Sequence, residues 1–152
     1  MKVGHVIGEK GVEQFCTTGN QSLTEAATLM SENRIGSLVV LEGEAIKSIV
    51  TERDVMMAVG RCQGEISAVK VEDVMAQMLI TCDVNDTLDH VMDLMINNET
   101  GHRIRHLPAL EDGRLAGVIS ISDVVEALLT KQEFENKLLK NYIKNWPDAE
   151  LA

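Results

Sequence analysis

A hydroxyl residue followed three positions later by an aspartate occurs twice in this chain, first as Thr51 with Asp54 and again as Ser120 with Asp123. The two copies lie 69 residues apart (120 − 51 and 123 − 54). A carboxylate can accept hydrogen bonds from two neighbouring sugar hydroxyls, and a Ser or Thr hydroxyl can contact sugar or phosphate. The same residues also cap helices well, so capping alone is the alternative interpretation. The repetition favours a binding role.

Each pair is predicted to lie where a strand runs into a helix. A β-rich apolar run precedes each hydroxyl, and a second apolar segment follows each aspartate, at 55–59 and at 124–129. The first turn of a helix has unpaired N–H groups and the positive end of the helix dipole, which attract anions. The two junctions are therefore the candidate anion-binding positions.

The composition describes one globular chain of 152 residues, with 45% hydrophobic and 25% charged residues. The formal net charge of −10 argues against non-specific nucleic-acid binding and against docking onto an anionic membrane. A local basic pocket remains compatible with this charge. Bound nucleotide is therefore not excluded.

Cysteine usage and the N-terminal sequence predict a cytoplasmic protein. Cys16, Cys62 and Cys82 are odd in number and widely spaced, which fits neither a disulfide framework nor a metal-ligand pattern. No signal-like apolar region opens the chain, and no apolar run approaches the roughly 18 residues of a membrane span.

The elements around the junctions also repeat. A helix with a Ser or Thr cap is predicted from Ser22 and from Thr87, followed by strands at 35–41 and 104–110, tight turns at 42–44 and 111–114, and a further strand. The polar segment 97–101 absorbs four extra residues in the second copy and is predicted to be a surface loop. We predict an α/β (α+β) fold with two βαββα-type units related by pseudo-two-fold symmetry, neither burying its apolar face alone and packed sheet to sheet.

A final helix is predicted after Leu129. Phe134, Leu138 and Tyr142 recur in it at i, i+4 and i+8, which gives an amphipathic stripe suited to an interface, and Trp146-Pro147 is expected to end it.

These residues resemble the paired CBS domain (cystathionine β-synthase domain, or Bateman module) of the small stand-alone bacterial type. The segment 117–123, Gly-Val-Ile-Ser-Ile-Ser-Asp, fits the family pattern Gly-h-x-Ser/Thr-x-Ser/Thr-Asp, and Ile-Arg-His-Leu-Pro at 104–108 precedes it. The resemblance covers about 12–130. It divides the chain into a first CBS domain (12–60), a linker with a short helix (61–77), a second CBS domain (78–130) and a C-terminal helix and tail (131–152).

The resemblance implies adenosine-containing ligands, namely AMP, ADP or ATP and sometimes NAD(H) or S-adenosylmethionine, bound in clefts between the units of disk-like dimers. No cofactor is required. The base is expected near Thr81 and the strand at 104–108, the ribose at the hydroxyl–aspartate pairs, and the phosphates at basic side chains. The implied ligand-binding residues are Thr81, Arg103, Ile104, Arg105, His106, Pro108, Ser120, Ser122 and Asp123 in the second unit, with Ile35, Thr51, Arg53 and Asp54 in the first.

Two departures from the family pattern are expected to weaken the first site. Ser48 replaces the glycine found at Gly117, and its side chain is expected to obstruct the ligand. Cys16 takes the position of Thr81 and is a poor hydrogen-bonding substitute for its hydroxyl.

Other interpretations remain open for some of these residues. Arg53 could instead pair with a surface carboxylate. His102 and His106 could suggest a metal, but no third ligand lies nearby in sequence, so an anion-facing or solvated role is favoured.

The sequence favours a binding protein over an enzyme, because it has no Ser/His/Asp spacing, Walker-type loop or zinc motif. We expect a homodimer that senses an adenine nucleotide and regulates a partner protein. The alternative is a structural dimerisation or interaction module without a functional nucleotide site.

Overall fold

The computed structural model describes residues 1–8 and 15–144. Its helices and strands are α1 (Val3–Ile7), β1 (Cys16–Thr18), α2 (Leu23–Asn33), β2 (Ser37–Glu42), β3 (Ala45–Thr51), α3 (Glu52–Arg61), α4 (Val71–Val74), β4 (Cys82–Asp83), α5 (Leu88–Ile96), β5 (His106–Glu111), β6 (Arg114–Ser120) and α6 (Ile121–Lys144). They form two three-stranded sheets, β1-β2-β3 and β4-β5-β6. The predicted α+β class and the two βαββα units are confirmed.

Each sheet combines one parallel and one longer antiparallel pair of strands. In the first sheet β1 is parallel to β2, and β2 is antiparallel to β3; the second sheet repeats this pattern. The parallel pairing follows from the helix between the first two strands, because a crossover returns the chain in its original direction.

The two sheets agree in register, including their irregularities. The hairpin register shifts between Val40 and Leu41 in one unit and between Ala109 and Leu110 in the other, 69 residues on. Both hairpins close with two-residue loops, the second at Asp112-Gly113 with φ of 53° and 78°. Positive φ at both central residues is typical of a type I′ turn. The predicted turns are confirmed, and the strand–helix junctions occupy equivalent settings.

The units have separate hydrophobic cores, whereas the sequence predicted that neither would bury its apolar face alone. One core contains Leu23, Leu38 and Val50, and the other contains Leu88, Leu107, Met95 and Ile119. Within each unit the helices pack on one face of a sheet, so the unit encloses its own core.

The opposite face of the first sheet is also buried. Val39 and Ile49 pair across β2 and β3 and are 0% and 7% exposed, although they lie outside the unit's core cluster. Side chains alternate between the two faces of a strand, so these residues face away from Leu38 and Val50. Burial on both sides accounts for the near-continuous apolar sequence of β2.

The N-terminal segment belongs to the second unit, a role that the sequence analysis missed. Val3 N donates to Asp86 O at 2.9 Å, and Gly4 N donates to Val84 O at 2.9 Å. Val3 is fully buried in the core of the second unit. Residues 1–8 therefore complete a unit that begins about seventy positions later in the chain.

The linker performs the same task for the first unit. Val71 N donates to Gln21 O at 3.0 Å, Glu72 N donates to Gly19 O at 2.9 Å, and Val71 is fully buried. Helix α4 is therefore the counterpart of α1. Weak local patterning concealed this, because segments this short are stabilised by tertiary contacts rather than by helix propensity.

We expect Val3→Ala to lower the free energy of unfolding by about 1–3 kcal/mol, because it removes fully buried methyl groups and leaves a cavity. Val71→Ala should cost a similar amount at the equivalent place, and Lys2→Ala, at an exposed side chain, should cost little. Chemical denaturation measures all three. Unchanged stability of Val3→Ala would show that residues 1–8 do not pack as described.

Helix α6 is continuous over 24 residues, whereas the sequence analysis predicted a separate helix after Leu129. No Gly or Pro interrupts residues 121–144, so nothing ends the helix at that point. Residues 131–144 are all exposed. The expected helix end at Trp146-Pro147 lies outside the described residues.

The predicted surface loop after α5 is confirmed. Asn98 Nδ2 donates to His102 O at 3.0 Å, and Thr100 N donates to Asn98 Oδ1 at 2.9 Å, so the loop is held by its own polar groups. Among the described helices, none combines the length and apolar character needed to span a membrane.

Candidate functional site

Both hydroxyl–aspartate pairs lie where a strand meets a helix, as predicted. Thr51 ends β3 and Ser120 ends β6. Asp54 Oδ2 accepts from Thr51 N at 2.8 Å, and Asp123 Oδ2 accepts from Ser120 N at 3.0 Å. These bonds use one oxygen of each carboxylate, so Oδ1 can accept from a ligand. Helix capping and ligand binding are therefore compatible at the same residue.

The hydroxyl groups of the two pairs bond differently. Thr51 Oγ1 donates to Asp54 Oδ2 at 3.1 Å, whereas Ser120 Oγ accepts from Asp123 N at 3.1 Å. The Ser120 hydroxyl therefore keeps its hydrogen available for an acceptor on a ligand, while the Thr51 hydrogen is used within the pair. This difference between the junctions was not visible in the sequence.

His106 lies at the second junction. It pairs with Ser120 across β5 and β6, and the charge of Asp123 acts on its imidazole. Burial lowers the pKa of His106 below its ordinary value of 6.5; Glu52 and Asp123 oppose this shift, and Arg105 adds to it. The ring is therefore neutral at neutral pH.

The two units meet at His106. A Cβ atom on Gly36 would lie 2.8 Å from His106 Nε2 and 3.4 Å from Glu52 Cδ, so any larger residue here would have to displace the tip of the ring. The sequence analysis missed Gly36 and Glu52. The available signal was a glycine at the start of a strand, at the position that Arg105 occupies in the second copy, since such a glycine often marks a close approach.

Three of the predicted basic residues near the junctions have exposed side chains, namely Arg53, Arg103 and Arg105. In the described part of the chain, the ion pair found is between Lys47 and Glu42, at 3.5 Å. The alternative role of Arg53 as partner of a surface carboxylate is therefore not observed. All three guanidinium groups can meet an anion.

The predicted base-contacting positions occupy equivalent places in the two units. Cys82 pairs with Ala109, which sets Thr81 beside Pro108, and Cys16 pairs with Val39 in the same register. Thr81 is half-buried and Pro108 is buried. Of the remaining predicted residues, Ile35 and Ile104 are half-buried and Ser122 is exposed.

Ser48 has a structural role that differs from the predicted one. Its side chain is 1% exposed and donates to Ala76 O at 2.5 Å, and it pairs with the core residue Val40. At Gly117 a Cβ atom would lie 3.2 Å from Ile7 Cδ1, so that glycine makes room for α1. The expectation that Ser48 obstructs a ligand is wrong, because its side chain points into its own unit.

Two open depressions lie beside the junctions. One of about 400 Å³ is lined by α2, by Ile35 and Gly36, and by Glu52 and Val55 of α3. The other, of about 490 Å³, follows α6 from Ile121 and Ser122 to Glu133. Their volumes are within the usual range for small-molecule sites. Neither of these two is lined by Asp54 or Asp123.

The titratable groups do not form a metal or thiol centre in the part of the chain that the structure describes. No group of three or more His, Cys, Asp and Glu side chains is placed to hold a metal ion there. Burial, together with the charges of Asp86 and Asp83, raises the pKa of Cys82 to about 12, so this thiol stays protonated and is a poor nucleophile.

Comparison with known proteins identifies the repeated unit. The model of the CBS domain matches residues 13–61 and 71–130. The CBS domain-containing protein CBSX3, mitochondrial, of Arabidopsis thaliana is 35% identical over 136 residues, which are 86% of this chain and 63% of that protein. The CBS domain-containing protein YhcV of Bacillus subtilis is 30% identical over 105 residues, covering 69% of this chain and 71% of that protein.

Solved structures show the same fold. A putative signal-transduction protein with CBS domains from Burkholderia ambifaria superposes with a TM-score of 0.76 at 35% identity, over 87% of this chain and 96% of that one. The CBS domain pair of protein MJ0100, solved with 5′-methylthioadenosine and S-adenosyl-L-methionine, gives a TM-score of 0.69 at 21% identity, over 86% and 98%. This last similarity concerns the fold alone.

Proposed function

Because the chain belongs to the CBS-domain family, with two CBS domains in tandem, we propose that it is a regulatory module that binds an adenine nucleotide. AMP, ADP and ATP are the first candidates, followed by NAD(H) and S-adenosylmethionine. The observation that carries the proposal is the pair of equivalent junctions, at which Asp54 and Asp123 each cap a helix through one oxygen and present the other. In this proposal the protein binds the nucleotide and does not convert it.

We assign the same roles to the site residues as the family resemblance implied. Asp123 Oδ1 accepts from the ribose hydroxyls, Ser120 donates to the ligand, and Thr81 and the start of β5 contact the base. The exposed Arg103 and Arg105 meet the phosphates. In the first cleft, Asp54, Thr51, Ile35 and Arg53 act correspondingly. A charge-assisted bond to a carboxylate is about twice as strong as a neutral one, so each aspartate is the main anchor of its cleft.

The second cleft is the stronger of the two in this proposal. The replacement of glycine by Ser48 is not an argument for this difference, because the Ser48 side chain is buried within the first unit. The Ser120 hydroxyl has a hydrogen to donate, His106 stands where the first unit has Ser37, and Thr81 offers a hydroxyl where the first unit has Cys16. Each difference gives the second cleft a donor that the first unit lacks at the matching position or has already used.

We propose that the working molecule is a cytoplasmic homodimer. The support for a dimer is the apolar surface along α6, where Phe134, Leu138 and Leu139 are 62%, 53% and 57% exposed. The support for a reducing compartment is the cysteine usage, since the three cysteines are odd in number and widely spaced and fit no disulfide framework. A regulated partner protein would respond to a change in the dimer, which requires the nucleotide to bind two arrangements with different affinity.

The second candidate is a dimerisation module whose clefts bind nothing. The exposed helix surface favours it, since that surface needs no ligand. Thermal unfolding of the full chain with saturating AMP, ADP, ATP, NAD(H) or S-adenosylmethionine separates the two. A ligand that binds only the folded state raises Tm by mass action. At a ligand concentration of a hundred times Kd, the free energy of unfolding rises by about 2.7 kcal/mol. No shift with any of the five would favour the dimerisation module.

A further inference from the structure

His106 is the first residue of β5 and contacts the other unit. Its ring lies against Gly36, where an added Cβ would come within 2.8 Å of Nε2 and 3.1 Å of Cε1. The backbone of the same residue pairs with Ser120, next to Asp123. One side chain therefore connects the second junction to the first unit.

Charged groups surround this ring from three elements. Glu52 acts on it from α3, Asp123 acts on it from α6, and Arg105 acts on it from the position just before His106 in the chain. The two carboxylates favour the protonated ring, and Arg105 and burial oppose it. Burial has the largest influence, so the ring packs against Gly36 in its neutral form.

The first unit has no equivalent group. Ser37 takes the place of His106 in the repeat, and Arg105 takes the place of Gly36. Neither a serine nor an arginine changes its charge near neutral pH. At this contact, a group that titrates near neutral pH is therefore found on one side of the pseudo-two-fold axis.

We propose that His106 is a proton-sensitive joint, which holds the two units together when neutral and takes up a proton when a phosphate-bearing ligand enters the cleft beside Asp123. Protonation places a charge on a half-buried ring, and this weakens the packing against Gly36. A phosphate in the cleft supplies the missing counter-charge. The ligand half of this proposal rests on the proposed function; the joint itself does not.

The joint makes the stability of the free protein depend on pH in a defined direction. Because the pKa of His106 is lowered in the folded state, the unfolded chain binds more protons between that lowered value and 6.5. Stability therefore falls as the pH drops through this window, and is regained above 6.5. Other groups also titrate, so the difference between variants isolates His106.

Thermal unfolding of the free chain at about pH 7.5 and about pH 5.5 tests the joint. We expect Tm of the wild type to fall by about 2–4 °C more than Tm of His106→Gln, and His102→Gln, at an exposed histidine of the loop that precedes β5, to behave as wild type. Gly36→Ala should displace the tip of the ring and behave as His106→Gln. Gly60→Ala is its control, because a Cβ there meets nothing within 4 Å. Equal pH dependence of wild type, His106→Gln and Gly36→Ala would overturn the proposal.

Calorimetry of the full chain with ATP and with adenosine tests the ligand half. We expect ATP to bind the wild type about three- to ten-fold more tightly at about pH 6 than at about pH 7.5, with proton uptake seen as different heats in two buffers. Adenosine, which carries no phosphate, should lack both effects, and the His106→Gln variant should show less proton uptake with ATP than the wild type, since only the phosphate of ATP then titrates. ATP binding without proton uptake overturns the ligand half. If no adenine ligand binds, the proposed function fails, and the pH dependence of the free protein still decides the joint.

Discussion

Asp123→Ala is expected to weaken ATP binding roughly ten- to a hundred-fold, which corresponds to about 1.5–3 kcal/mol. The substitution removes the charged acceptor that we assign to the ribose hydroxyls. It also removes the bond from Ser120 N at 3.0 Å, so some stability is lost with the helix cap, about 0.5–2 kcal/mol. Titration calorimetry gives the affinity, and a thermal melt shows that the variant is folded under the conditions of the titration.

Two variants separate the loss of a ligand contact from the loss of a cap. Asp73 Oδ2 accepts from Lys70 N at 2.9 Å in the same arrangement at the start of α4, so Asp73→Ala should cost stability and leave ATP affinity unchanged. Asp54→Ala should reduce binding in the first cleft and affect the second cleft far less. If Asp73→Ala weakened ATP binding as much as Asp123→Ala, the assignment of Asp123 to the ribose would be wrong.

Leu138→Glu is expected to convert a dimer into a monomer. The segment 131–144 carries four lysines and two glutamates, a net charge of +2, whereas residues 1–130 carry 10 basic and 20 acidic residues, a net charge of −10. An apolar, basic helix segment thus fits the acidic body of a second copy. A glutamate within the apolar stripe buries an unpaired charge at the interface, which is strongly unfavourable.

The helix offers a matched control for this change. Lys140 lies two positions further and roughly 200° around the helix, on the polar face, so Lys140→Glu should leave the dimer largely intact. Light scattering at several protein concentrations measures the mass of each variant. A monomeric wild type would contradict the proposal of a homodimer. A dimeric Leu138→Glu variant would show that the interface lies on another surface of the CBS units.

The fold was predictable because the repeat carries the information twice. The capping serine at Ser22, the tight turns and the strand–helix junctions each have a local chemical signature, and all were found where the sequence indicated. The docking of residues 1–8 on the second unit was not predictable, since it depends on contacts between segments distant in sequence. The same reason hid the burial of Ser48, whose partner Ala76 lies 28 positions away.

The candidate site was predictable in its residue types but not in its asymmetry. The sequence identified Thr51, Asp54, Ser120 and Asp123 by spacing, and the structure shows the expected junctions. It could not show that the two hydroxyls bond in opposite directions, because that depends on side-chain geometry. The contact of His106 with Gly36 joins residues of different units, and no spacing rule connects them.

Binding of an adenine nucleotide in the clefts of this CBS pair can be measured without any assumption about a partner protein. Titration calorimetry of the full wild-type chain with ATP, repeated with a double variant of Asp54→Ala and Asp123→Ala, tests it most directly. We expect saturable binding to the wild type and, because each cleft loses its own ribose acceptor, a roughly ten- to hundred-fold loss of affinity at both clefts of the double variant. Equal ATP affinity in the wild type and the folded double variant would contradict it, as would the absence of binding heat for ATP, ADP and AMP with the wild type.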